Sequence, residues 1–347
     1  MLNTIVTFII VLGILVFIHE LGHFIFAKLA GIRVERFSLG FPPRMFGIKI
    51  GDTDYCISWL PLGGYVKMSG MVDESLEGSL KGEPWEFMSK SLPKRFMAIF
   101  AGPAFNYILA VLLFGWVTWS DGVRTPFHPF INEVVQGSPA EKAGFLANDA
   151  ILTIDGHTTE TVRQSIDIFS ANANKLLQVQ ILRDEQEITI PVTPELNPDT
   201  QTGRIGIGIG QQYTFQSVSF LQSMQYGFAE TIYITQLLGE AIGDMFLGEE
   251  SVKESIAGPI GIAKMVGEAA EAGLNVLLRF MAFLSLQLAI LNLLPIPALD
   301  GGHIVFILVE GIMKRPPKMK TRMVIQQLGM VFLLCLMVFI IFNDLTR

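Results

Sequence analysis

His19-Glu20-Leu21-Gly22-His23 stands near the end of an apolar run that extends from Leu2 to Ala30. On a helix, His19 and His23 lie four positions apart and share one face. Both imidazoles can therefore reach one tetrahedral zinc ion, with Glu20 beside them as a candidate base. Two imidazoles and a carboxylate are costly to keep in such a run unless they serve a ligand or each other. The run is near the ~20 residues that cross a ~30 Å hydrocarbon core, so the reading is metal-hydrolase chemistry inside a membrane span.

Half of the 347 residues are hydrophobic and only 16% are charged, against roughly a quarter charged in a soluble domain. Three further runs of spanning length follow, Phe96 to Trp119, Phe280 to Leu299 and Val324 to Phe342. The expected fold class is a polytopic α-helical membrane protein of about four transmembrane helices. The first run has neither a basic n-region nor an A-x-A-like cleavage site, so it reads as a retained span and not as a signal peptide. The net charge of −7 gives no basic footprint for nucleic acid, and that partner is excluded. Cys56 and Cys335 are the two cysteines, which leaves His and carboxylate as the metal ligands. Basic residues gather in the loop from Arg33 to Arg95 and at Lys314, Arg315, Lys318, Lys320 and Arg322. By the positive-inside rule those segments are cytoplasmic and both termini face outward.

Between Gly40 and Lys67, apolar and β-branched runs are split by Gly, Pro and Asp, which reads as a membrane-associated β element over about residues 40–70. Asp73 to Glu86 reads as a mobile loop. Residues 1–121 then form the first part of the membrane core. From about 122 to 210 polar residues interleave with short strands at Phe130–Val135, Ala150–Ile154, Leu176–Leu182 and Glu187–Val192. Helices are expected at Ser138–Gly144 and Thr161–Phe169. This inserted α+β domain, with Gly137-Ser-Pro-Ala-Glu-Lys-Ala-Gly144 ahead of Asn148-Asp149, resembles the permuted PDZ domains of bacterial proteases. Residues 211–273 read as amphipathic linker helices, and Phe228–Leu247, which carries Glu230, Glu240 and Asp244, as one lying at the membrane surface or beneath the domain. Residues 274–347 complete the membrane core.

A catalytic zinc takes three protein ligands and keeps one open position. Asp300, in Asn292-Leu-Leu-Pro-Ile-Pro-Ala-Leu-Asp-Gly-Gly-His303, is the leading third ligand, because it closes an apolar run where prolines and glycines force the backbone out of regular helix. His303 is the alternative, as ligand or as an orienting neighbour. With four spans, the first and third run parallel and both ligand sets fall near the same end of their helices. An added span at 228–247 would separate them.

HELGH in the first span, Gly102-Pro-Ala-Phe-Asn106 in the second and Asn292 to Gly302 in the third together resemble the site-2 protease family of intramembrane zinc metalloproteases, and in particular its bacterial members that cleave anti-sigma factors. The resemblance implies Zn²⁺ held by His19, His23 and Asp300, with Glu20 as catalytic base. It also implies a β element that handles the substrate helix and a setting in the bacterial inner membrane. The partners are then a single-span membrane protein substrate, membrane lipid, and a peptide or protein tail at the PDZ-like domain. That domain and both termini are extracytoplasmic, and the active site lies toward the cytoplasm. There is room for one PDZ domain where the best-known bacterial member has two. Asn106 and Asn292 are candidate substrate-binding residues or interhelical glue. Pro295 and Pro297 either meet substrate or shape the turn that presents Asp300. A catalytically silent PDZ scaffold is the competing class, against which an intact Glu20 argues. A transporter lacks the internal repeat it would need.

Overall fold

The computed structural model describes residues 2–71, 81–198, 200–247 and 258–346. Most of the loop expected at Asp73–Glu86 lies outside them, as does the segment 248–257 within the expected linker. The chain divides into two compact units, one formed by residues 1–120 with 219–347 and the other by 121–218.

The first unit opens with α1, Leu2–Leu29, an unbroken apolar run that ends at Gly31 with φ +71. Two long bulged strands follow, β1 (Val34–Ile50) and β2 (Thr53–Met68). Residues 36–39 pair with 64–67 on one side and with 54–57 on the other, while 46–50 pair with 53–57. The stretch 64–68 is thereby left as an edge. Helix α2, Leu92–Asp121, leads to the second unit. There β3 (Val123–Val134), α3 (Pro139–Ala143), β4 (Ala150–Ile154), β5 (His157–Thr158), α4 (Val162–Ala171), β6 (Leu177–Arg183) and β7 (Gln186–Val192) precede the short pair β8 (Glu195–Leu196) and β9 (Gly203–Arg204) and the strand β10 (Ile207–Gln216). The main sheet runs β10-β3-β4-β6-β7, with β5 on β4.

Local chemistry explains these elements. The Ser138 hydroxyl accepts the Glu141 N–H and Gly144 closes α3 in the left-handed conformation. Thr161 and Gln164 form a capping box for α4. Alternation along β6, and a register shift in β4 between Ile151 and Thr153, send Ile151, Ile154, Val179 and Ile181 into a fully buried core. Asp149 is buried beside them but satisfied, accepting two hydrogen bonds from Arg183 and one from Leu146 N–H. The domain expected to end near 210 extends to 218, because β10 runs on to Gln216 and pairs with β3 along its length.

The first unit resumes with α5 (Phe220–Leu247), α6 (Pro259–Ala272), α7 (Leu274–Leu293), α8 (Asp300–Met313) and α9 (Met319–Thr346). Among the described residues, four helices, Asn3–Leu29, Leu92–Asp121, Leu274–Leu293 and Met319–Thr346, are long and apolar enough to cross a membrane. The third expected span, 280–299, is corrected in its bounds: α7 starts and stops six residues earlier, and Asp300 opens a separate helix. Helix α5 packs against α2, with Phe220 on Trp119, Gly227 against Gly115, and Thr235 Oγ1 at 3.3 Å from Tyr107 Oη. Glu230 pairs with Arg279 of α7 at 3.1 Å.

Two features hold the helices around the motif. At the ends of α2, α8 and α9, Glu310 accepts from Arg95 at 2.5 and 3.0 Å and from Arg322 at 2.8 Å. Removing one partner of such a buried network would strand a charge, at a cost of about 3–5 kcal/mol. Beside the motif, α1 crosses α2 so closely that a Cβ on Gly22 would collide with the Ala101 carbonyl. Gly22→Ala is therefore expected to destabilise the detergent-solubilised protein by about 1–3 kcal/mol, read as a lower unfolding midpoint. Gly13→Ala, with open space at its Cβ, is the control. Equal midpoints for the two variants would show that α1 and α2 separate without cost.

Candidate metal centre

The 3.6-residue period of α1 puts His19 and His23 one above the other, and both are buried. Their Nε2 atoms are 3.1 Å apart. Asp300 Oδ2 stands 3.1 Å from His19 Nε2 and 3.4 Å from His23 Nε2. His23 Nδ1 donates to the Ala98 carbonyl at 2.9 Å, which leaves its Nε2 as a bare lone pair when the ring is neutral. Asp300 Oδ2 is buried and has no hydrogen-bond partner. Lone pairs from two imidazoles and one carboxylate thus face a common point, an arrangement that repels itself unless a cation shares it.

Donors about 2.0–2.1 Å from one tetrahedral zinc stand roughly 3.3 Å apart, and the three separations fall on that value. Among the described residues this is the one set of three His, Cys, Asp or Glu ligand atoms close enough to hold a metal. The residues present fit the ion.

The loop between α7 and α8 delivers Asp300. It contains Pro295 and Pro297 and carries Ala298 at φ +74. Asp300 is the first residue of α8, where a carboxylate also meets the positive end of the helix dipole. His303 lies one turn further on, and its Nε2 is engaged by Gln326 at 3.1 Å.

A cavity of about 660 Å³ opens onto the three residues, and Glu20, Gly64, Val66 and Asn292 share its wall. Asn106 does not line it. That side chain is fully buried, and its amide is 3.4 Å from His19 Nδ1. Contact with substrate is replaced for this residue by contact with an imidazole. As drawn, Asn106 Oδ1 has no partner. An amide turned by half a revolution would set that oxygen against the Nδ1–H that His19 carries when its Nε2 is a ligand. Pro297 packs on Gly329 of α9, which accords with a turn-shaping role.

Sequence reasoning passed over Gln326 and Arg36. Gln326 is an amide inside an apolar run, and the cost of burying such a group was the available signal. Arg36, on the cavity wall and donating to Tyr65 Oη at 2.9 Å, carried none.

The arrangement is that of a metallohydrolase set within apolar helices. The model of Peptidase family M50 matches residues 7–336, and the chain belongs to that family. A relative from Clostridium perfringens is 37% identical over 95% of both chains. The zinc metalloprotease RasP of Geobacillus kaustophilus is 30% identical over 100% of this chain and 98% of its own. The PDZ domain of an SdrC-like protein from Listeria monocytogenes matches 24% of this chain and 86% of its own, at 18% identity and a TM-score of 0.22.

Asn106→Leu is expected to weaken metal retention by roughly 10–100-fold, as loss of an orienting partner does at such sites. Asn106→Asp, which keeps an acceptor for Nδ1–H, is expected to retain metal. Chelator competition reads both, and unchanged retention in the leucine variant would remove Asn106 from this role.

Proposed function

We propose that the chain is an intramembrane zinc metalloendopeptidase acting on single-span membrane proteins, with an anti-sigma factor in regulated intramembrane proteolysis as its substrate. The observation that carries this reading is the convergence of His19, His23 and Asp300 on one wall of a cavity that Glu20 and the strand edge 64–68 also line. Zinc is the cofactor, held by His19 Nε2, His23 Nε2 and the Asp300 carboxylate. When bound, it polarises the scissile carbonyl and acidifies water at its open position.

The Glu20 carboxylate takes the proton given up by the attacking water and passes it to the leaving nitrogen. Gly64 sits against it, so near that a Cβ there would stand 3.1 Å from Glu20 Cγ. The backbone N–H of Val66 reaches the same carboxylate, so the 64–68 edge runs directly past the base. A transmembrane substrate must unwind before its carbonyls can be attacked. Pairing to this edge would replace the hydrogen bonds it loses. Asn292 is placed to bond a freed substrate carbonyl, and Pro295 and Pro297 hold the loop shape.

The distribution of Lys and Arg supports a bacterial inner-membrane protein with both termini and the domain 121–218 outside and the site toward the cytoplasm. That domain is PDZ-like in its sequence pattern. It would take a peptide or protein tail and filter substrates ahead of cleavage.

Cleavage of a panel of single-span substrates in detergent tests the reading. Glu20→Gln is expected to lose at least about 10²-fold in turnover with zinc stoichiometry intact, because only the proton acceptor is gone. Asp300→Asn is expected to lose both zinc and turnover. Normal zinc and turnover in Asp300→Asn would take that residue out of the ligand set. Val66→Pro, which deletes an edge N–H, is expected to depress cleavage while zinc stays bound. Wild-type turnover of a helical substrate by that variant would rule out strand pairing at this edge.

A further inference from the structure

Helix α9 buries little of itself. Leu328, Val331, Phe332 and Val338 are each more than half exposed, and the buried residues are Arg322, Gln326, Gly329 and Asn343. The first three are spaced by four and by three, so they share one face. Each of them touches α8 or the loop that carries Asp300. Arg322 donates to Glu310 of α8. Gln326 Oε1 accepts from Ala298 N–H at 2.6 Å, and its Nε2 donates to His303 Nε2 at 3.1 Å. Gly329 allows Pro297 to approach, since a Cβ there would stand 2.5 Å from the Pro297 Cβ.

The Gln326 amide therefore brackets Asp300, two residues before it and three after. Ala298 needs such a hold, because it is a non-glycine residue at φ +74, a backbone conformation that persists only where surrounding bonds impose it. In lipid an apolar helix face gains little by leaving its surroundings for the bundle. The polar stripe is what docks α9 against the loop.

We infer that Gln326 is a positioning residue. By tying Ala298 and His303 to α9, it holds the Asp300 carboxylate where it meets His19 and His23, and the stripe Arg322, Gln326 and Gly329 makes α9 a splint for the ligand loop. This rests on the reading of Asp300 as a zinc ligand.

The test uses the full chain in detergent, with the rate of zinc loss to a chelator measured beside kcat and KM on a single-span substrate. Gln326→Met removes both hydrogen bonds at similar volume and is expected to speed zinc loss roughly 10–100-fold. Its kcat is expected to fall comparably while KM stays within about twofold. Gln326→Glu keeps the acceptor for Ala298 N–H and is expected to lie closer to wild type than the methionine variant. Leu328→Ala, on the exposed face, is expected to match wild type. Should Gln326→Met fail to fold, Gly329→Ala, which pushes the same face off Pro297, is expected to speed zinc loss in the same way. Wild-type zinc loss and kcat in Gln326→Met, beside weakened zinc in Asp300→Asn, overturn the inference and leave the ligand reading standing. Losses of equal size in Leu328→Ala overturn it as well. Normal zinc in Asp300→Asn removes the reading on which it rests.

Discussion

Three lone pairs meeting at one point in an apolar interior is the constraint around which the helical unit is arranged. Each buried polar atom without a partner costs about 1–3 kcal/mol, and Asp300 Oδ2 is such an atom, with His19 Nε2 and His23 Nε2 turned to the same point. A structural zinc contributes about 10–16 kcal/mol to the peptide that binds it, so on the proposed reading the ion outweighs that cost. The arrangement is worth keeping only if the donors stay within tenths of an ångström of one another. The back of each donor is accordingly held: His23 by the Ala98 carbonyl, His19 by the Asn106 amide, and Asp300 by a loop bonded to α9.

Close packing at Gly22 and the ion cluster of Arg95, Glu310 and Arg322 address the same constraint from different distances. The first sets the separation of α1 and α2 beside the motif. The second ties the ends of α2, α8 and α9, so that the helix opening with Asp300 cannot slide along its neighbours. Charges of this kind are poor stabilisers compared with apolar packing, yet they specify geometry, because breaking one leaves a buried charge unpaired. Opposite these anchors, the strand edge at 64–68 runs beside Glu20, with Gly64 against its side chain.

Much of this architecture could be read in the linear chain. Hydropathy runs are local, so the four spanning helices were visible with end errors of a few residues, largest at α7, where an apolar run continued through a turn. Periodicity of two and capping residues made four strands and both helices of the 121–218 domain legible, while β10, held by its pairing with distant β3, was not read. HELGH and the Asp300 segment each carried a recognisable chemical signature, because ionisable groups in apolar runs are too costly to be incidental.

By itself the sequence determined which residues can bear the chemistry, since ligand type, i to i+4 spacing and apolar context are properties of a few neighbouring positions. Tertiary structure alone decided that Asp300 stands within 3.4 Å of both histidines, that Asn106 turns to an imidazole and away from the cavity, and that Gln326 grips the loop. Those pairings join residues from 23 to about 280 positions apart. They depend on helix crossing angles, on a glycine contact and on a buried ion cluster, and no local periodicity encodes these.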